Sequence, residues 1–185
     1  MIETERLVLR APEAGDLDAL AALHADPRVM DWLSAPIGRE GVAAMIDRIR
    51  THIGLTGWGF WAAERKADRA VVGLIGLLPM GAELPPGPGV EIGWRLAHEA
   101  WGHGYAAEGA TASLAWGLAN LDVTEILAIT ARSNLRSQAV MRRIGMVPDP
   151  ARDFDHPGLP AGHPLRPHVL FSAALRHVAA PGGLR

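Results

Sequence analysis

Two glycines flank a histidine in the segment EAWGHGYAAEGA, residues 99–110, just before an alanine-rich stretch. Glycine is unfavourable where a helix begins unless the main chain itself is needed there. The first N–H groups of a helix have no internal partners and carry a partial positive charge, so they are a natural site for an anion. Gly102 and Gly104 therefore predict a phosphate site made of main chain.

The spacing Gly102-x-Gly104-x-x-Ala107 also fits the dinucleotide-binding pattern. That pattern follows directly on a buried apolar strand, whereas AHEAW intervenes here and the strand before it contains Glu91 and Arg95. The first 90 residues also lack the repeated strand–helix units that such a fold needs. Nicotinamide or flavin binding, and a tight turn without a ligand, are the alternatives to the phosphate site.

A carboxylate interrupts the apolar strand VEIGWRL, residues 90–96. Alternation places Val90, Ile92, Trp94 and Leu96 on one face and Glu91, Gly93 and Arg95 on the other. A carboxylate in such a strand needs a reason, because burying a charge is costly. Glu91 is the candidate general base, acting through a water molecule, and a buried ion pair with an arginine of a neighbouring strand is the alternative.

The elements that position these residues follow from periodicity and turn signals. A strand at 4–10 precedes three helical segments, the first capped by Asp16, the second begun by Asp26-Pro27 and the third ending at Gly54. Two hairpin strands, the strand 90–96, a helix at 105–120, a strand at 124–131, a helix capped by Asn134 and a final strand at 168–176 follow. This order predicts an α/β fold with a mixed sheet and helices on its faces.

Composition limits the class of protein. The 185 residues fit one domain, 49% are apolar, and 18 basic residues balance 20 acidic ones, which argues against binding nucleic acid through bulk charge. Without cysteine, disulfides, thiolate metal sites and a cysteine nucleophile are excluded. No apolar run is long enough to span a membrane. We expect a cytoplasmic protein without a nucleic-acid or membrane partner.

Four segments together resemble the GNAT superfamily of acyl-CoA-dependent N-acyltransferases: VEIGWRL, WGHGYAAEGA, ITARSNLRSQAVMRRIGM and the opening TERLVLR. The branch they resemble is that of the ribosomal-protein N-terminal acetyltransferases, to which ADPRVMDWL is also similar. The resemblance implies a single GNAT-like domain over residues 1–176, with a strongly bent mixed sheet that splits where two parallel strands separate. We expect residues 177–185 to form a flexible tail.

The resemblance also implies where the acetyl-CoA co-substrate binds. Its pyrophosphate would lie on the main-chain N–H groups of the turn at 102–106, and its pantetheine arm would pair with the main chain of Trp94–Leu96, one of whose N–H groups would stabilise the oxyanion. Glu99 occupies the position where the family turn often has Arg or Gln, and this acid either weakens the affinity for CoA or points outward. The cofactor-binding residues so assigned are Trp94, Arg95, Leu96, Trp101, Gly102, His103, Gly104, Tyr105, Ala106, Asn134 and Arg136.

Acetyl transfer to an amine requires a base, an oxyanion donor and an acid for the leaving thiolate. Many family members use a tyrosine as that acid, but Met141 occupies its position here. The chain's single tyrosine, Tyr105, lies in the phosphate turn. Ser137 matches the serine that the ribosomal-protein branch implies for this role, and a second helix-capping hydroxyl is the alternative. Asn134 is both a cap and a contact for the cofactor arm.

The remaining candidates concern the acceptor and a metal. Trp32, Trp58 and Phe154 are candidate liners of the acceptor site, and core or rim positions are the alternative for each. His98 and His103 flank the turn, where they would contact the thioester or phosphates, or remain solvated. The histidines at 156, 163 and 168 show no compact ligand spacing, so we expect no metal.

The sequence thus predicts an N-acetyltransferase that works by direct attack in a ternary complex. The acceptor is a primary amine, either a small molecule or a protein N-terminus, and the protein is a monomer or a homodimer. A non-catalytic acyl-CoA-binding module and a nicotinamide-dependent oxidoreductase are the alternative functions.

Overall fold

The computed structural model describes residues 1–32 and 37–174. Within these ranges the strands are β1 (Ile2–Glu3), β2 (Leu7–Arg10), β3 (Phe60–Arg65), β4 (Val71–Met80), β5 (Gly89–Leu96), β6 (Glu125–Ala131), β7 (Val147–Pro148), β8 (Phe154–Asp155) and β9 (Pro167–Ala174). The helices are α1 (Leu17–Ala25), α2 (Pro27–Met30), α3 (Arg39–Thr56), α4 (Tyr105–Asn120) and α5 (Leu135–Arg143). The predicted tail at 177–185 lies outside the described residues.

All nine described strands belong to one sheet, in the order β1-β2-β3-β4-β5-β6-β9-β7, with β8 also paired to β9. Neighbouring strands are antiparallel except β5 and β6, which are parallel. The predicted single-domain α/β fold with a mixed, bent sheet flanked by helices is confirmed. The antiparallel run from β1 to β5 is unlike the repeated parallel units of a dinucleotide-binding fold.

Apolar side chains cover both faces of the sheet. Helix α4 packs on one face, where Trp116 meets Trp61 edge to face at 5.7 Å between ring centroids. Helices α1 and α3 pack on the other face through Leu20, Val42 and Ile46. Two helical layers therefore hold the central strands, and β5 presents a different set of side chains to each layer.

Three local predictions differ from the structure. Asp16 does not cap α1 with its side chain, because its carboxylate instead accepts from the N–H of Glu13 and pairs with Arg10. Helix α3 continues past Gly54 and ends at Gly57, which has the positive φ of a helix-ending glycine. The short strands β1, β7 and β8 were not predicted from the sequence.

Among the described helices, none is both long and apolar enough to cross a membrane.

Candidate active site

The parallel strands β5 and β6 separate soon after they meet. Their ladder contains one pair, Glu91 opposite Leu127, whereas β5 stays paired with β4 as far as Leu96. Ala97 donates its N–H to Val72 at 2.9 Å. Main-chain groups alternate along an antiparallel strand, so those of Trp94 and Leu96 point away from β4 into the gap. The gap therefore offers unpaired main-chain donors on one side.

Both glycines of the turn have a backbone conformation that side chains disfavour. Gly102 and Gly104 have φ values of 80° and 83°, in the left-handed region that favours glycine. Gly104 is the N-cap of α4, and no side chain caps the helix. The N–H groups of Tyr105 and Ala106 thus lack helical partners and stand open at the positive end of a 16-residue helix.

A network of hydrogen bonds holds this turn against the start of the chain. Glu108, in the first turn of α4, accepts from Thr4 Oγ1 at 2.6 Å and from Arg6 Nε at 2.7 Å. Arg6 also donates from Nη1 to the carbonyl of His103 at 3.0 Å. The network fixes the direction of the open N–H groups without using them.

A cavity of about 460 Å³ lies beside the turn. It is bounded by α2, by the segment after β5 and by the start of α5. Its lining residues are Arg28, Asp31, Trp32, His98, Trp101, Ser133, Leu135 and Arg136. Among the predicted site residues, the structure therefore brings Trp32, Trp101 and Arg136 together.

Trp101 forms the wall between the cavity and the end of β5. Its indole Nε1 donates to the carbonyl of Leu96 at 2.9 Å, and its ring stacks at a tilt with His98 at 4.8 Å. The guanidinium of Arg136 lies over the same ring, 5.1 Å from its centroid. Arg136 is thereby placed in the cavity as an exposed cation. Glu99 is exposed.

Glu91 has the electrostatics of a general base. Its partners in register, Leu78 on β4 and Leu127 on β6, flank it on the same face of the sheet. Burial among such neighbours raises the pKa of Glu91 from 4.5 to about 7. No arginine among the described residues forms an ion pair with it, so the structure does not support the ion-pair alternative. A carboxyl with a pKa near neutrality suits proton abstraction at physiological pH.

The same shift predicts a pH-dependent stability. Because the folded-state pKa lies above 4.5, Glu91 binds its proton more tightly in the folded state, and stability is lost as the pH rises through about 7. The shift corresponds to up to about 3 kcal/mol. We expect Glu91→Gln to raise the melting temperature relative to wild type at pH 8 and to change it little at pH 4. If the melting temperatures of the wild type and the variant differed by the same amount at pH 4 and pH 8, the raised pKa of Glu91 would be contradicted.

Helix α5 begins as predicted. Asn134 accepts the N–H of Ser137 through Oδ1 at 3.1 Å, which confirms it as the N-cap. The Ser137 hydroxyl has no hydrogen-bond partner among the described residues, so the structure does not support the second-cap alternative. Met141, which occupies the position of the family tyrosine, is 1% exposed in the main core. No phenol occupies that position.

Tyr105 lies away from the cavity beside the turn. It lines a second cavity of about 340 Å³ with Arg6 and Arg65, and the Arg6 guanidinium is 4.7 Å from its ring centroid. The ring of His103 is 5.8 Å from that of Tyr105, and His103 is exposed. These residues sit on the outer side of the turn.

Two predicted acceptor liners do not join the cavity. Trp58 packs edge to face on His52 at 4.9 Å, and Phe154 stacks with His168 at 5.6 Å. The His156 and His168 rings lie 4.9 Å apart. In the described residues, no cluster of three or more His, Cys, Asp or Glu side chains has a geometry that could hold a metal.

Sequence reasoning missed several residues around the site. Asp31 and Leu135 line the cavity, and a buried histidine on α1, His24, contacts the side chain of Arg95. Asp31 and Leu135 each adjoin a residue that was predicted, Trp32 and Asn134. The contact of His24 joins residues 71 positions apart, so no local pattern indicates it.

Comparison with known proteins identifies the family to which this fold belongs. The model of the "Acetyltransferase (GNAT) domain" matches residues 6–147. The chain belongs to this family, whose members depend on acetyl-CoA.

Two curated relatives come from Bacillus subtilis (strain 168). The chain is 30% identical over 144 residues to the uncharacterized protein YkkB, covering 77% of this chain and 83% of YkkB. It is 25% identical over 148 residues to the uncharacterized N-acetyltransferase YoaA, covering 78% of this chain and 81% of YoaA.

Solved structures show the same fold. A GNAT-family acetyltransferase from Bacillus anthracis superposes with a TM-score of 0.77 at 24% identity, covering 94% of this chain and 97% of that one. A spermidine N-acetyltransferase from Vibrio cholerae, in complex with CoA and spermine, gives 0.70 at 19% identity, covering 91% and 95%.

The ribosomal-protein branch has little support. RimL, a ribosomal L7/L12 alpha-N-protein acetyltransferase solved with coenzyme A, superposes with a TM-score of 0.75, covering 93% of this chain and 96% of RimL, at only 15% identity. Such a likeness shows the fold alone, so the family is established and the branch is not.

Proposed function

We propose that this protein transfers an acetyl group from acetyl-CoA to a primary amine, by direct attack in a ternary complex. The observation that carries the proposal is the arrangement around β5. Main-chain donors of Trp94 and Leu96 point into the gap beside β6. The open N-terminus of α4 follows nine residues after the end of β5 in the sequence. Glu91, with its raised pKa, lies on the same strand.

The cofactor would occupy the gap and the turn. The pyrophosphate lies on the N–H groups that begin α4, from Tyr105 onward, where the helix dipole stabilises its charge. The pantetheine arm pairs with Trp94 and Leu96 as an added strand would. Arg136 on the Trp101 ring supplies a cation to the phosphates, and Asn134 fixes the start of α5 beside the arm. Structural neighbours solved with CoA support CoA as the group that binds here.

The residues of β5 and α5 would carry out the transfer. Glu91, ionised, takes a proton from the acceptor ammonium through water, and the free amine attacks the thioester carbon. The N–H of Trp94 or Leu96 donates to the oxyanion as it forms. The tetrahedral intermediate then expels the CoA thiolate. Ser137 gives its hydroxyl proton to the sulfur and regains one from the nitrogen of the new amide, and Glu91 releases its proton to water. The chain contains no cysteine, so no thioester forms on the enzyme.

A screen of amines tests this proposal against a non-catalytic acyl-CoA-binding module. Acetyl-CoA is incubated with the protein and with members of each acceptor class, namely polyamines, amino acids, aminoglycosides and peptides with a free N-terminus. We expect amine-dependent release of the CoA thiol. Binding of CoA without release in any class would favour the binding module.

A cytoplasmic location and a monomeric or homodimeric state stay predictions.

Alanine substitution of two left-handed glycines tests the cofactor site. Gly104 begins α4, whereas Gly145 follows α5 with a φ of 84° and open space around it. Alanine at a left-handed position costs about 1–2 kcal/mol in either case. We expect Gly104→Ala to weaken CoA binding about 10-fold, by 1.4 kcal/mol, and Gly145→Ala to leave it unchanged.

Calorimetric titration with CoA measures both affinities, and the CoA-dependent rise in melting temperature reports the same difference. Equal affinity of the two variants for CoA would exclude the turn as the pyrophosphate site.

A further inference from the structure

Arg95 is a desolvated cation with no acidic partner. Its nitrogen Nη1 lies 2.6 Å from Nε2 of His24. This is the one hydrogen bond that the Arg95 side chain makes to the described residues. All 20 acidic residues of the sequence fall in residues 1–32 and 37–174, and none of them forms an ion pair with Arg95. Burial lowers the pKa of Arg95, with no carboxylate to oppose it. The charge is therefore uncompensated by the chain's own acidic side chains.

His24 holds Arg95 without neutralising it. The ring is fully buried, and Nδ1 lies 2.7 Å from the carbonyl oxygen of Leu20. A carbonyl only accepts, so Nδ1 carries the hydrogen and Nε2 presents the lone pair that receives the Arg95 N–H. Desolvation lowers the pKa of His24; the Leu20 bond opposes this shift and the Arg95 charge adds to it. The ring is thus neutral, and the pair keeps one positive charge.

Most N–H donors of Arg95 have no partner among the described residues. Among the described residues, the one sealed side-chain nitrogen or oxygen that lacks a partner is Nε2 of His52. The other Arg95 nitrogens have no hydrogen-bond partner among the described residues and do not belong to this sealed class. A guanidinium has five N–H donors, so most of its capacity to bind a carboxylate or phosphate is unused.

Arg95 lies on the same face of β5 as the proposed base. Glu91, Gly93 and Arg95 alternate onto that face, and the side chains of Leu78 and Phe60 approach Gly93 there, so apolar atoms form a floor between the carboxylate and the guanidinium. Residues four apart on a strand are roughly 13 Å apart between Cα atoms. The main chain between them includes Trp94, whose N–H points into the gap at the sheet's edge. An acceptor that lies over this apolar floor would direct its amine toward Glu91 and a second group toward Arg95.

We propose that Arg95, positioned by His24, binds an anionic group of the amine acceptor, so that the acceptor carries a carboxylate or phosphate as well as its amine. This inference rests on the proposed transferase function. An anion at this point compensates a charge that is otherwise costly to desolvate. A polyamine would place a further positive charge near Arg95, so this class of acceptor is disfavoured.

Matched pairs of acceptors test the inference on the wild-type protein. β-Alanine is compared with β-alaninamide, and O-phosphoethanolamine with ethanolamine, with spermidine as the cationic reference. We expect kcat/KM for at least one anionic member to exceed that of its uncharged partner by 10-fold or more. The pair that shows the preference distinguishes a carboxylate from a phosphate. Equal rates within both pairs, or a preference for spermidine, would overturn the inference while leaving the transferase function intact.

Variants then assign the preference to Arg95. We expect Arg95→Gln to raise KM for the anionic acceptor about 10-fold and to leave KM for acetyl-CoA unchanged. If Arg95→Gln does not fold, Arg95→Lys is used in its place, with the same expected result. Arg39→Gln removes an exposed arginine that pairs with Asp18, far along the chain from β5, and serves as the control. An anionic preference that persists in a folded Arg95 variant would contradict the assignment. If no amine, charged or uncharged, releases CoA, the transferase proposal fails and the acceptor assignment fails with it.

Discussion

Replacing Glu91 by glutamine is expected to lower kcat about 100-fold at pH 7.5, the lower end of the usual contribution of a general base. Glutamine keeps the size of the side chain and its place between Leu78 and Leu127 but cannot accept the proton. The KM for acetyl-CoA should hardly change, because the proposed cofactor contacts come from Trp94, Leu96 and the glycine turn.

The pH profile distinguishes this role from a structural one. In the wild type, kcat should rise as the pH increases through about 7, where Glu91 loses its proton. The variant should lose this rise. Glu40→Gln, at an exposed glutamate in the first turn of α3, is the matched control and should keep the wild-type profile. A folded Glu91→Gln protein with wild-type turnover across this range would show that another group is the base.

Ser137→Ala is the second substitution with a large expected effect. If the Ser137 hydroxyl protonates the leaving thiolate, its loss should lower kcat by roughly 100-fold. The affinity for acetyl-CoA should barely change, since the hydroxyl acts chiefly as charge develops on sulfur. Its Oγ has no partner among the described residues, so removing it breaks no bond within them.

Tyr105→Phe provides the contrast. The chain's single tyrosine lies between Arg6 and Arg65 on the outer side of the turn, away from the proposed thioester. Its variant should keep kcat close to that of the wild type under saturating substrates. If Ser137→Ala kept the wild-type kcat while Tyr105→Phe lost most of it, the roles assigned to both residues would be contradicted.

Local signals predicted the parts of the site that depend on backbone geometry. The glycines at 102 and 104 indicated a tight turn that exposes main chain before a helix, and Asn134 indicated a cap, because each depends on neighbours a few residues away. Glu91 could be singled out since a charge in an apolar strand is conspicuous. Its raised pKa follows from Leu78 and Leu127, which reach it through the pairing of distant strands.

Features built from long-range contacts were not predictable in this way. Asp16 has a good capping residue type, yet its carboxylate pairs with Arg10, which is held in turn by Glu64 of β3, 54 positions along the chain. The strand at 147–148 is two residues long and exists through its pairing with the final strand of the sheet. Trp58 and Phe154 are aromatic like Trp32, and their types alone could not separate a core or rim position from the cavity wall.

The fate of a labelled acetyl group tests the central claim most directly. The wild-type protein is incubated with acetyl-CoA carrying a deuterated acetyl group and with the most active amine of the screen, and both acceptor and protein are examined by mass spectrometry. We predict that the label appears on the acceptor nitrogen with stoichiometric release of CoA, and that none is covalently attached to the protein during turnover. Label held by the protein as a kinetically competent intermediate, or CoA released by hydrolysis with the acceptor unlabelled, would contradict direct transfer in a ternary complex.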